Sequence, residues 1–311
     1  MFDVLGALTG LSSALFSIVP LTMIINNWFV KKHGLATSIV FGFSGLAGSL
    51  CSPILTAVIS SSSWQVAYIV KAAIILGLCL PAIVYPFNLD PQDEDLKPYG
   101  FEYTQGENEA VSTKPISFAF ASIGFLSFFV FGMMASCITS VTQHFPGFAQ
   151  SVGFDASLGA LLLSAGMVGN IVFKIVIGVL SDRLGALKAT LVTLLINMAG
   201  IFLLLTGLSS GILLLGAFFF GSSYAIGAVG VPLLTKYFFG TEVYSTVFPK
   251  ISFASNFGAA LSFTLVGYIY DLSGSYSLAF IFSLIMIAIC FSSLAICYKA
   301  THTQKQIILE K

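Results

Sequence analysis

The chain has 311 residues, 57% of them hydrophobic and 8% charged, with a mean hydropathy of +0.98 and a formal net charge of zero. Soluble domains carry about 25% charged residues, so this composition excludes an ordinary water-soluble globule. The balanced charge leaves no basic surface for nucleic acid.

Crossing a bilayer takes roughly 20 apolar residues of helix. Nine stretches meet that need, at about 4–25, 35–59, 65–87, 116–142, 156–180, 187–207, 211–234, 251–270 and 276–298. The expected fold is therefore an all-α membrane protein of about nine transmembrane helices. Pro20, Pro53, Pro81 and Pro232 lie inside these stretches, and membrane helices tolerate them. The first stretch has no basic start of the kind a secretory signal carries, since no Lys or Arg precedes Lys31.

The connections alternate in charge. The first holds Lys31 and Lys32, the third Lys97 and Lys114, the fifth Arg183 and Lys188, and the seventh Lys236 and Lys250. The second, fourth, sixth and eighth hold no Lys or Arg, and the tail carries Lys299, Lys305 and Lys311. The positive-inside rule then predicts odd connections and the C-terminus in the cytoplasm, with Met1 outside.

The third connection, 88–115, is polar and acidic, with Asp90, Asp93, Glu94 and Asp95 close together. It divides the chain into a partial N-terminal three-helix bundle (1–87), a cytoplasmic linker read as solvated (88–115), a C-terminal six-helix bundle (116–298) and a cytoplasmic tail (299–311). Faint internal similarity relates the first three helices to the last three: Phe43 and Gly48 match Phe253 and Gly258, while Trp64, Ala67 and Tyr68 match Tyr276, Ala279 and Phe280. On that pattern the first bundle calls for three more helices ahead of Met1.

The five cysteines fall in apolar stretches without metal-type spacing, so they read as packing residues. No metal or cofactor is expected. Nucleotide loops and hydrolase elbows are lacking in the sequence, so an enzyme is not the expected reading. Ionisable groups within hydrocarbon cost roughly 2.5–3.5 kcal/mol each and need a reason. Lys71 and Lys174 are the two clear cases. Either can snorkel to a headgroup region, but Asn170, one turn from Lys174 on the same face, suggests a polar stripe facing a cavity. Gln143 and His144 lie near the outer mouth; Tyr224 and Asn256 are candidate cavity hydrogen-bonders. Asp155 and Asp271 lie at outer helix ends and read as caps.

The segment Gly178-Val179-Leu180-Ser181-Asp182-Arg183-Leu184-Gly185 contains the chain's single arginine. It resembles the signature Gly-x-Leu-x-Asp-Arg-x-Gly of the major facilitator superfamily, in its second-half copy. The run Asn27–Ala36 is similar to that family's connection between helices four and five, and Trp64-x-x-Ala-Tyr68 to the start of its sixth. The resemblance implies two six-helix halves related by a parallel repeat, with this chain corresponding to helices four to twelve. It makes Gly178, Asp182, Arg183 and Gly185 a gating motif whose contacts form in one conformation and break in the other.

Within the superfamily, 167–185 is most similar to the oxalate/formate antiporters and monocarboxylate transporters. In those, an arginine four residues before the first signature glycine pairs with the substrate carboxylate; Lys174 holds that position here. Lysine keeps the cation but lacks the planar fork. The eleventh-helix equivalent, 251–270, has no lysine, and Asn256 is its main polar residue. The resemblance therefore implies a carrier of a small organic anion, symporter or antiporter, in the plasma membrane, with a coupling proton or counter-anion as further partner. The candidate substrate residues are Lys174, Gln143 and His144, to which the resemblance points, with Asn170, Tyr224 and Asn256 from the polar positions themselves. A carrier of neutral or cationic compounds, and a truncated fragment that transports nothing, are the competing readings.

Overall fold

The computed structural model describes residues 2–15, 17–84, 88–101, 122–207 and 209–309. The first column is two helices, α1 (Phe2–Leu15) and α2 (Ile18–Trp28), where a single span was expected. Next come α3 (His33–Ser61) and α4 (Trp64–Val84). After the linker comes α5 (Ile123–Ser140), which runs through a 3-10 turn (Val141–His144) into α6 (Phe145–Ser151). The expected loop from Gln143 onward is therefore helical as far as Ser151. Then follow α7 (Ala156–Leu184), α8 (Ala186–Thr206) and α9 (Ser210–Phe220). A short helical turn (Ser222–Ala225) and a π turn (Ile226–Gly230) link α9 to α10 (Val231–Phe239). The long helices α11 (Tyr244–Ser273) and α12 (Ser277–Leu309) complete the chain.

Among the described residues these helices form nine columns, and six of them are long and apolar enough to cross a membrane. The protein is thus an all-α membrane protein. Helix α11 is not among the six although it has 30 residues. Ser252, Ser255, Asn256 and Ser262 interrupt its apolar sequence, and these residues face partners or a cavity. Asp271 lies in the last turn of α11 rather than at a helix start, so it does not cap.

Small residues let α5 and α11 touch, as membrane helices must when no hydrophobic force drives them together. A Cβ on Gly132 would lie 2.9 Å from Ile251 Cγ2. Across this seam the Ser255 hydroxyl donates to the Gly132 carbonyl at 3.1 Å, Ser262 to the Cys137 carbonyl at 2.8 Å and Ser140 to the Ala259 carbonyl at 3.1 Å. The bundle centre is aromatic: Phe145, Phe220 and Phe280 are fully buried, and Phe148 meets Phe280 edge-on with centroids 4.8 Å apart.

Of the segment expected as a solvated linker, 88–101 docks on the α2–α3 connection, while 102–115 lies outside the described residues. The Trp28 indole donates to the Asn88 carbonyl at 3.1 Å and Asn27 to the Leu89 carbonyl at 3.2 Å. Backbone bonds join Tyr99 N–H to Trp28 O at 2.8 Å and Val30 N–H to Tyr99 O at 3.0 Å. This docking holds the chain just before α3, the helix that faces the signature segment.

Candidate functional site

Helix α3 begins without a cap of its own. Lys32, in the left-handed region at φ 56°, turns the chain into the helix and offers no side-chain acceptor. The first N–H groups of a helix need an acceptor, and the dipole there favours an anion. Asp182, at the far end of α7, supplies it: Gly34 N–H donates to Oδ1 at 2.8 Å and Leu35 N–H to Oδ2 at 2.9 Å. Close approach makes this reach feasible. A Cβ on Gly34 would lie 2.6 Å from the Gly178 carbonyl oxygen, so both helices need glycine at this crossing. Gly185, at φ 85°, ends α7 and opens α8. Arg183 is exposed in the last turn of α7, beside the carbonyl end, and forms no ion pair among the described residues.

Two turns up the same seam lies Lys174. It is 3% exposed, and its ammonium donates to the Phe41 carbonyl at 3.0 Å and to Ser44 Oγ at 2.8 Å, both on α3. Helix α7 runs ten residues beyond Lys174 to Leu184, about 15 Å at 1.5 Å per residue. The ammonium is turned onto α3 and not toward the helix end. Among the described residues no carboxylate lies within ion-pair distance of it. Lys71, by contrast, is exposed on α4, its ammonium 5.9 Å from the Tyr68 ring centroid.

A cavity of about 330 Å³ is lined by residues of α2, α5, the α9–α10 column and α11. Helix α5 and the following turn contribute Ser136, Thr139, Ser140 and Gln143, spaced to form one helical stripe. Helix α11 contributes Ser252, Ser255 and Asn256 from another, and Tyr224 enters from the broken α9–α10 column. The Tyr224 hydroxyl is oriented by Thr142 at 2.7 Å. The π turn just after Tyr224 precedes Pro232, which has no N–H to give, and such turns recur at functional sites. Gln143, Tyr224 and Asn256 are thus brought together as expected residues of one cavity. The serines and Thr139 escaped the sequence reading, although their spacing of three and four within apolar helices was the signal for them.

The other expected residues lie elsewhere. His144 is half-buried against Phe263 and Tyr276, with ring centroids 5.4 and 5.9 Å away. Asn170 is buried on the α7–α3 seam; Gly45 leaves room for its amide and for Ile171. Lys174 is outside the cavity lining as well. A small core of Phe41, Phe173, Ile177, Ala225 and Val229 stands between, and Ala228 both packs on that core and lines the cavity.

Apolar helices tied together at one end by a carboxylate on a helix start, with a cavity that carries several polar side chains, fit a polytopic membrane protein. Comparison with known proteins agrees. The family model described as Major Facilitator Superfamily matches residues 1–249 and 125–308, and the chain belongs to that family. Among similar curated proteins, monocarboxylate transporter 12 of Mus musculus is 26% identical over 96% of this chain and 67% of its own length. The Homo sapiens protein of that name is 26% identical over 100% of the chain and 65% of its own length. The probable sulfoacetate transporter SauU of Cupriavidus necator is 24% identical over 82% and 62%. The chain spans about two thirds of the length of these relatives.

Proposed function

We propose that the protein is a secondary carrier of a small organic anion, a monocarboxylate or a similar acid, working by alternating access. The reading rests on Lys174: a buried ammonium held by neutral acceptors and no acid. Buried charges are ordinarily paired, and a solute carboxylate supplies the missing charge when α3 and α7 part. The cavity residues Gln143, Tyr224 and Asn256 then bind the polar remainder of the solute, with Asn170 and His144 beside its path. The relatives named for monocarboxylates and sulfoacetate support an anionic solute. A proton or counter-anion accompanies it to balance charge. The alternation of lysines supports a cell-membrane orientation with the C-terminus cytoplasmic, the N-terminus of this chain outside and the Asp182 contact on the cytoplasmic side.

Uptake of radiolabelled lactate and sulfoacetate into proteoliposomes holding the 311-residue chain tests the proposal. Lys174→Ala is expected to reduce uptake to that of empty vesicles, and uptake at the wild-type rate would overturn the assignment. One observation favours a second reading, a carrier of neutral compounds: among the described residues that line the cavity, Tyr224 is the only ionisable side chain. Uptake of a neutral solute that excess lactate leaves unchanged would favour it.

A further inference from the structure

We propose that Ser44 and the Phe41 carbonyl are a resting ligand set for the Lys174 ammonium, which the solute anion must displace, so that Ser44 sets apparent affinity. The inference rests on the reading of Lys174 as the anion-binding cation and adds a competing acceptor on the opposite helix.

Three atoms form a closed triangle. The Ser44 hydroxyl gives its own hydrogen to the Phe41 carbonyl at 2.7 Å. Its lone pairs are then free to accept from Lys174 at 2.8 Å, and the ammonium reaches the same Phe41 carbonyl at 3.0 Å. The ammonium is thereby solvated by neutral oxygens alone. Such a set compensates a buried cation only in part, whereas a carboxylate makes a shorter and stronger charge-assisted bond. Ser44 is exposed while Lys174 is 3% exposed, so of the two the hydroxyl is the outer group.

Both resting acceptors belong to α3, and the cation belongs to α7. Handing the ammonium to a solute therefore removes one of the two polar ties that cross this seam among the described residues. The other, Asp182 to Gly34 and Leu35, involves no atom of Lys174 and persists. Anion binding and loosening of the seam are then one event, and the strength of the resting tie is set against the affinity for solute.

The test compares initial uptake of radiolabelled lactate and sulfoacetate by wild type, Ser44→Ala, Ser44→Asp and Lys174→Ala in proteoliposomes, with thermal unfolding of each to confirm folding. Losing one hydrogen bond to a charged group corresponds to about tenfold or more in an equilibrium constant, so Ser44→Ala is expected to lower the half-saturating concentration by about tenfold or more. Ser44→Asp places a permanent counter-ion on Lys174 and is expected to abolish uptake in a folded protein. A merely structural serine would lower the maximal rate and leave half-saturation alone. If Lys174→Ala abolishes uptake but Ser44→Ala leaves half-saturation unchanged or raises it, the resting-ligand proposal is overturned and the carrier reading stands. If Lys174→Ala transports normally, or wild type takes up neither probe, the parent reading fails and this proposal with it.

Discussion

Two aspartates bracket α7, and they do different work. Asp155 caps its own helix: Leu158 N–H donates to Oδ1 at 3.0 Å and the Ser157 hydroxyl to the same oxygen at 2.9 Å. The Leu158 N–H first, and then the Ser157 hydroxyl, hold its carboxyl below the ordinary carboxylate range. A depressed pKa in the folded state means the cap contributes above the unfolded carboxylate's pKa and is lost as pH falls through the lower, folded value. Asp155→Ala is therefore expected to unfold at lower temperature than wild type near neutral pH, with the two midpoints converging in acid. Asp155→Asn should recover most of the difference, because an amide oxygen also caps; calorimetry in detergent across pH checks both. The sequence placed this cap correctly, since Asp before an apolar run is a local signal. Asp271 shows the limit of such reasoning. Only the true end of α11 reveals that it lies in the last turn rather than before the first.

At the level of elements, α3 against α7 is the pair that matters. Glycines on both sides reduce the crossing to backbone contact, and the polar ties at Asp182 and Lys174 follow from that closeness. Gly178→Leu tests the arrangement. A Cβ there would already lie 2.5 Å from the Gly34 carbonyl oxygen, and overpacking of this kind costs about 1–3 kcal/mol. The seam should stay open, so a cysteine placed at Leu35 should react severalfold faster with a hydrophilic maleimide in the Gly178→Leu background; equal rates would show that the helices accommodate the side chain. The signature glycines were legible as a motif. Their partner Gly34 was legible only as part of a loop that resembles the family's, because nothing local marks which helix another one will touch. The broken α9–α10 column was likewise read as one span, since Pro232 and the glycines around it signal irregularity without specifying a π turn.

For the whole molecule, the alternation of lysines and the order of the columns make a topology that can be tested directly. In a cysteine-free background, Ser273→Cys on intact cells should react with an impermeant maleimide, and Lys299→Cys should react only after permeabilisation. The reverse pattern would invert the orientation. Hydropathy alone marked all nine columns, of which six are single helices and three are broken (α1–α2, α5–α6 and α9–α10) among the described residues, because hydrocarbon demands an apolar stretch of set length whatever surrounds it. It also stopped the reading short of the true ends of α7 (Leu184) and α11 (Tyr244 and Ser273), which run on past the apolar stretch.

The sequence by itself determined the class of protein, the number of columns and the signature that marks the family, since all three are properties of local stretches measured against water and hydrocarbon. It also singled out Lys174, because a cation inside an apolar run is conspicuous. Where that cation goes was decided by tertiary structure. Its acceptors lie 130 and 133 residues away in the chain, and the aspartate that completes α3 lies 147 and 148 residues from the amides it binds. Contacts over such separations come from how glycine-lined helices pack, and no local pattern encodes them.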